Sequence, residues 1–147
     1  SGYPNMKVLE FAFDSRDSSG AGDYLPHNYT HNCVVYTGTH DNDTVMGWYD
    51  TLKGADKKLC DDYLRLKNAD GEPIPREQLP WEFVRAAMSS VADLAIIPMQ
   101  DYLGLGSEAR INIPSTLGIN WKWRMGNGDF TKELAGRIRS MTKLYGR

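Results

Sequence analysis

The chain has 147 residues, 41% of them hydrophobic and 24% charged, with a formal net charge of -2. That suffices for one domain spanning residues 1–147 and is too short for two ordinary ones, and the near-neutral, mixed charge argues against nucleic acid or a membrane surface as partner. No apolar run approaches the ~20 residues of a membrane span, and Ser1-Gly2-Tyr3-Pro4 has neither the basic start nor the apolar stretch of a signal peptide.

In chain order, Lys7 to Phe13 ("KVLEFAF") is a short apolar run and reads as a buried strand. It begins only a few residues from a start that lacks Met, which points to a trimmed chain. A Gly/Ser/Asp loop follows ("DSRDSSGAGD"), then a second buried strand at Cys33 to Thr37, ending in Gly38. From Thr44 the period turns helical, with Val45, Trp48, Tyr49 and Leu52 on one stripe and Asp43 or Thr44 as cap. Leu59, Tyr63 and Leu66 mark a second helix, and "NADGEPIPREQ" a Pro-rich loop. Pro80 suits a helix's first turn, followed by the stripe Trp81, Val84, Met88 and Val91.

Leu94 to Ile97 is a third buried strand, closed by Pro98. The Gly-rich "DYLGLGSEARIN" and the aromatic "NWKWR" precede a last helix from about Thr131, with Leu134, Ile138 and Met141 inward. Near-continuous apolar strands separated by helices imply a parallel sheet covered on both faces. Three strands are too few to close such an architecture, so the chain reads as α/β and as part of something larger.

Function in parallel α/β folds collects where strands end. Three such ends are visible: Phe13-Asp14, Thr39-His40-Asp41 and Met99-Gln100-Asp101. In "YTGTHDNDT" a carboxylate beside an imidazole suits binding of sugar hydroxyls or stabilisation of a positive transition state. The competing readings are a helix cap, an internally bonded loop, or a metal held by His40, Asp41 and Asp43; the offsets exclude a calcium loop. "GLGSEA" is a weak dinucleotide signal, and Gly104 and Gly106 better suit a tight turn. Trp121, Trp123, Tyr36, Trp48 and Phe11 are either core or sugar-packing faces, and His27 and His31 read as structural or exposed. Cys33 and Cys60 stand at no metal-ligand spacing and read as free thiols of a cytoplasmic protein.

"YTGTHDNDTVMGW", "IIPMQDYLGLGSEARIN" and "NIPSTLGINWKWR", with "MKVLEFAF" and "YLPHNY", resemble the C-terminal half of the amylomaltases, or 4-α-glucanotransferases. Asn5 stands where such sequences usually carry glycine, and Glu10 where glutamine is common. The resemblance implies about the last three strands, with their helices, of a (β/α)₈ TIM-type barrel. It implies a retaining transfer of α-1,4-glucan segments, with no metal or organic cofactor. Asp41 matches the family's third catalytic carboxylate, while His40, Asn112 and, less closely, Phe11 match substrate contacts. The matching nucleophile and general acid lie upstream of Lys7, and Asp23, Asp61 and Asp62 match neither motif. The chain is therefore expected to be inactive alone and to self-associate through open barrel edges; the alternative is a non-catalytic glucan-binding or assembly unit, and a metal hydrolase ranks last.

Overall fold

The computed structural model describes residues 2–16 and 20–147. The loop expected over 14–23 falls partly outside them, at 17–19. Strands β1 (Asn5–Val8), β2 (Cys33–Tyr36) and β3 (Leu94–Ile96) form one parallel sheet in the order β1-β2-β3. Asn5 pairs with Cys33, and Val34 with Leu94. Helices α1 (Val45–Tyr49), α2 (Gly54–Tyr63) and α3 (Leu79–Met88) lie between β2 and β3. Helix α4 (Met99–Tyr102) follows β3 directly, and α5 (Lys132–Leu144) closes the order.

The first strand is shorter than its apolar run suggests. After Val8, the last residue paired with β2, Leu9–Phe13 winds into a 3₁₀ turn that buries Leu9, Glu10, Ala12 and Phe13. The Glu10 N–H reaches the Thr37 carbonyl at 3.3 Å, so the backbone bonds past the strand end by a turn rather than by ladder. Helix starts follow their side chains: Thr44 Oγ1 accepts from the Gly47 N–H at 3.1 Å and Thr131 Oγ1 from the Leu134 N–H at 3.1 Å. In α2 the inward residues are Cys60 and Asp61, with Leu64 just beyond, whereas Leu59 is exposed. Leu66 comes after the helix, past Arg65 at φ 59°.

The main core gathers Leu9, Phe13, Val45, Met46, Leu64, Leu66 and Phe83, with the Trp48 ring against Phe13 and Phe83. Burying a Phe side chain contributes roughly 2–3 kcal/mol, so this cluster fixes α1, α2 and α3 beside the strand ends. A second cluster packs Ala87 and Ala92 on Cys33 and Val35, and a third sets Met141 against Trp81, Val84 and Met88.

The expectation of a sheet covered on both faces is not met. Side chains alternate across a strand, and the Cys33–Val35 side is the helix-covered one. On the opposite side Met6 is 58% exposed, Leu94 52% and Ile96 40%. β3 is thus a half-open strand rather than the buried one its apolar run predicts, because nothing in the described chain packs over that face. Both cysteines are buried and free.

Candidate functional site

The open face runs into a cleft of about 390 Å³ at the strand ends, lined by Met6, Tyr36, Ile96, the 38–44 turn, and Arg110 and Ile111. The turn leaves β2 at two small steps, Thr37 and Gly38. Asn42 Oδ1 closes it by accepting from both the N–H and the hydroxyl of Thr39 at 2.8 Å. Asp43 accepts from the Thr44 N–H at 2.8 Å and from the Ser107 hydroxyl at 2.6 Å. Asn42, Asp43 and Thr44 are therefore committed to holding the loop and capping α1. The bland reading of this stretch is correct for them.

It does not cover His40 and Asp41. Their side chains stand at the rim, 54% and 48% exposed, with His40 Nε2 3.3 Å from Asp41 Oδ1. Asn112 Nδ2 donates to that same Asp41 oxygen at 2.7 Å. Arg110 secures the pair from below, donating through Nη2 to the Asp41 carbonyl at 2.7 Å and through Nε to the Asn112 carbonyl at 2.9 Å. The chain thus brings three of the four singled-out residues together. Phe11 is elsewhere: it does not line the cleft, and its ring meets Tyr24 edge-on at 5.4 Å.

Asp101, in α4 just past β3, is buried and spends both oxygens inside the fold. Thr37 Oγ1 donates to one at 2.6 Å and the Val45 N–H to the other at 2.9 Å. Burial pushes its carboxyl up to about 6, against the pull of those two hydrogen bonds, and the nearby charge of Asp43 adds to the rise. Asp101 therefore ties the ends of β2 and β3 to the start of α1 and leaves no oxygen for a ligand.

Two residues of the site escape a reading by motif. Arg110 makes only backbone contacts here, which a residue pattern does not announce. Trp121 was one aromatic among several, yet its ring lies 5.1 Å from that of His40 at 36°, and it is 56% exposed. Its backbone sits at φ 64°, an uncommon conformation for a bulky residue, while its N–H donates to the Ile111 carbonyl at 2.7 Å. Trp48, in contrast, belongs to the core, and His27 is bonded to the Tyr63 hydroxyl at 2.9 Å.

No group of three His, Cys, Asp or Glu side chains converges as a metal site among the described residues, and Asp43 is engaged by the Ser107 hydroxyl. In the Gly-rich segment, Gly104 takes φ +67° just after α4, and the Gly106 N–H is held by Glu108 Oε1 at 3.0 Å, which is turn geometry. No helix of the described residues is long and apolar enough to cross a membrane.

Three comparisons bear on this arrangement. A family model described as 4-alpha-glucanotransferase matches residues 1–129. The chain is 49% identical over 147 residues to a 4-alpha-glucanotransferase of Clostridium butyricum, covering 99% of this chain and 28% of that protein. It is 45% identical over 146 residues to one from Thermus thermophilus, again covering 28% of it. The structure of an amylomaltase from Streptococcus agalactiae in complex with acarbose superposes with a TM-score of 0.86 at 35% identity, over 99% of this chain and 28% of that one. The chain spans little more than a quarter of the length of these relatives.

Proposed function

The chain belongs to the 4-alpha-glucanotransferase family, and from that premise we propose that it works as part of a cytoplasmic enzyme that moves α-1,4-glucan segments between maltodextrins. The reaction is a retaining double displacement, in which a carboxylate nucleophile forms a glycosyl enzyme while a carboxylic acid protonates the leaving oxygen. Asp41 acts as the further carboxylate, gripping sugar hydroxyls and steadying the positive charge that develops on the ring. The observation that carries this reading is the Asn112–Asp41 hydrogen bond at 2.7 Å on the rim of the cleft. It orients one carboxylate oxygen, the one His40 also approaches, and leaves the other without a hydrogen bond among the described residues, with Trp121 against His40.

The sheet and its helices form the C-terminal portion of a (β/α)₈ barrel, and its open face meets the remaining strands. The nucleophile and the general acid belong to the part of the enzyme upstream of Lys7, so these 147 residues are inactive alone. Phe11, which lies outside this cleft against Tyr24, meets substrate beyond it. Alone, the chain associates through its open barrel edges, β1 and β3, which carry the exposed apolar side chains of Met6, Leu94 and Ile96.

A maltotriose disproportionation assay tests the reading on two samples. The full chain is expected to release glucose and longer maltodextrins, and the 147 residues alone to leave maltotriose intact. Conversion by the 147 residues alone would overturn the division of labour; no conversion by the folded full chain would overturn the activity itself.

A further inference from the structure

The most anomalous group in the molecule is Glu10. It is 2% exposed, and its Oε2 is the single buried side-chain polar atom among the described residues that lacks a hydrogen-bond partner. Leaving such an atom orphaned costs about 1–3 kcal/mol, so the position calls for an explanation. Its surroundings supply one. Glu10 sits in the 3₁₀ turn just past β1, its N–H on the Thr37 carbonyl, and its carboxyl lies directly under Gly38, where any Cβ would collide with Oε2. Gly38 is the residue from which the Thr39–Asp43 turn springs.

We propose that Glu10 is a positioning residue for Asp41, supporting the 38–44 turn from beneath so that Asp41 stays in register with Asn112 and Arg110. This rests on the glucan-transfer reading given above. Three elements face the Glu10 carboxyl with charge: Asp101 from α4, Asp43 from the turn before α1, and Arg110 from the segment after Ser107–Ala109. Burial, then the charges of Asp101 and Asp43, hold the Glu10 acid well above the usual carboxylate range, with Arg110 pulling the other way. In its neutral form the acid carries a proton it can donate, and it adds no charge beneath the turn. Once ionised, it becomes a further anion confined beside Asp101 and Asp43, and repulsion acts on the turn that carries Asp41.

The test compares the full chain with its Glu10→Gln variant, whose amide is neutral at every pH and nearly isosteric. Maltotriose kcat and KM are measured across pH together with the melting temperature. The ratio of kcat in the variant to kcat in the wild type is expected to climb on the order of tenfold from the acid to the alkaline end of the range, with no matching rise in the ratio of KM values. Glu10→Ala, which removes the support, is expected to lower kcat at every pH. If Glu10 were only structural, Glu10→Gln would change the melting temperature and leave the kcat ratio flat, and that flat ratio would overturn the proposal. A folded wild type that never converts maltotriose would overturn the glucan reading and this role with it, so the two failures are told apart by the wild type alone.

Discussion

Asp41 and Asp101 stand just beyond the ends of neighbouring strands, and they have opposite fates. Asp101 is buried, with one oxygen on Thr37 and the other on the Val45 amide, so it is a joint of the scaffold. Asp41 is half exposed; Asn112 and His40 engage the same single oxygen, and the other has no hydrogen bond among the described residues. Residue type and location do not separate these two aspartates. What separates them is how many of their acceptor positions the fold has already used, and a carboxylate with capacity to spare is the one available to a sugar.

Four substitutions break or sharpen that contrast. The largest effect is expected from Asp41→Asn in the full chain: kcat for maltotriose should fall on the order of 10³-fold or more, while stability to urea changes by less than about 0.5 kcal/mol. Asp101→Ala should do the reverse. With the Thr37 hydroxyl and the Val45 N–H left unpaired in the interior, stability should drop by about 3 kcal/mol.

The same residue sets a pH signature. Asp101 in the fold holds its proton up to about 6, above the value near 4 of an unfolded aspartate. Its contribution to stability is therefore full below about pH 4 and lost as pH rises through about 6. Melting curves should show that slope in the wild type and lose it in Asp101→Asn. The smallest effect is expected at Trp121: replacing it by Ala should raise KM for longer maltodextrins roughly three- to tenfold with kcat little changed, because a stacking face contributes to binding and not to the bond being broken.

How much of this was legible beforehand depended on the range of the interactions. The cap at Thr44, the strand at Cys33 and the helix start near Thr131 follow from local chemistry, and the structure keeps them within a residue or so. The His40-Asp41 pair was visible because an apolar strand runs directly into it. The early end of β1 was not, since "LEFAF" is equally apolar as strand or as turn and only the lack of a further partner on β2 decides it. Nor could the open face of the sheet be read from Leu94–Ile96, because a run of apolar residues specifies a preference for burial and not the partner that provides it. Arg110, Glu10 and Trp121 draw their roles from residues distant in the chain, or from a backbone angle, and no spacing rule encodes either.

The register of the sheet also bears on how the chain acquires its shape. Parallel pairing admits no hairpin, so Asn5 must find Cys33 and Val34 must find Leu94 across long intervening segments, the second roughly twice the length of the first. That doubling adds only about 0.6 kcal/mol of closure entropy. The greater obstacle is that two strands alone make a marginal sheet, and β2 gains this cover only when α3 brings Ala87 onto Cys33 and Val35. On a ribosome, the first half of this segment would emerge with its strands unable to consolidate until α3, and then β3, had followed. Folding is in this sense a late event, slow by topology.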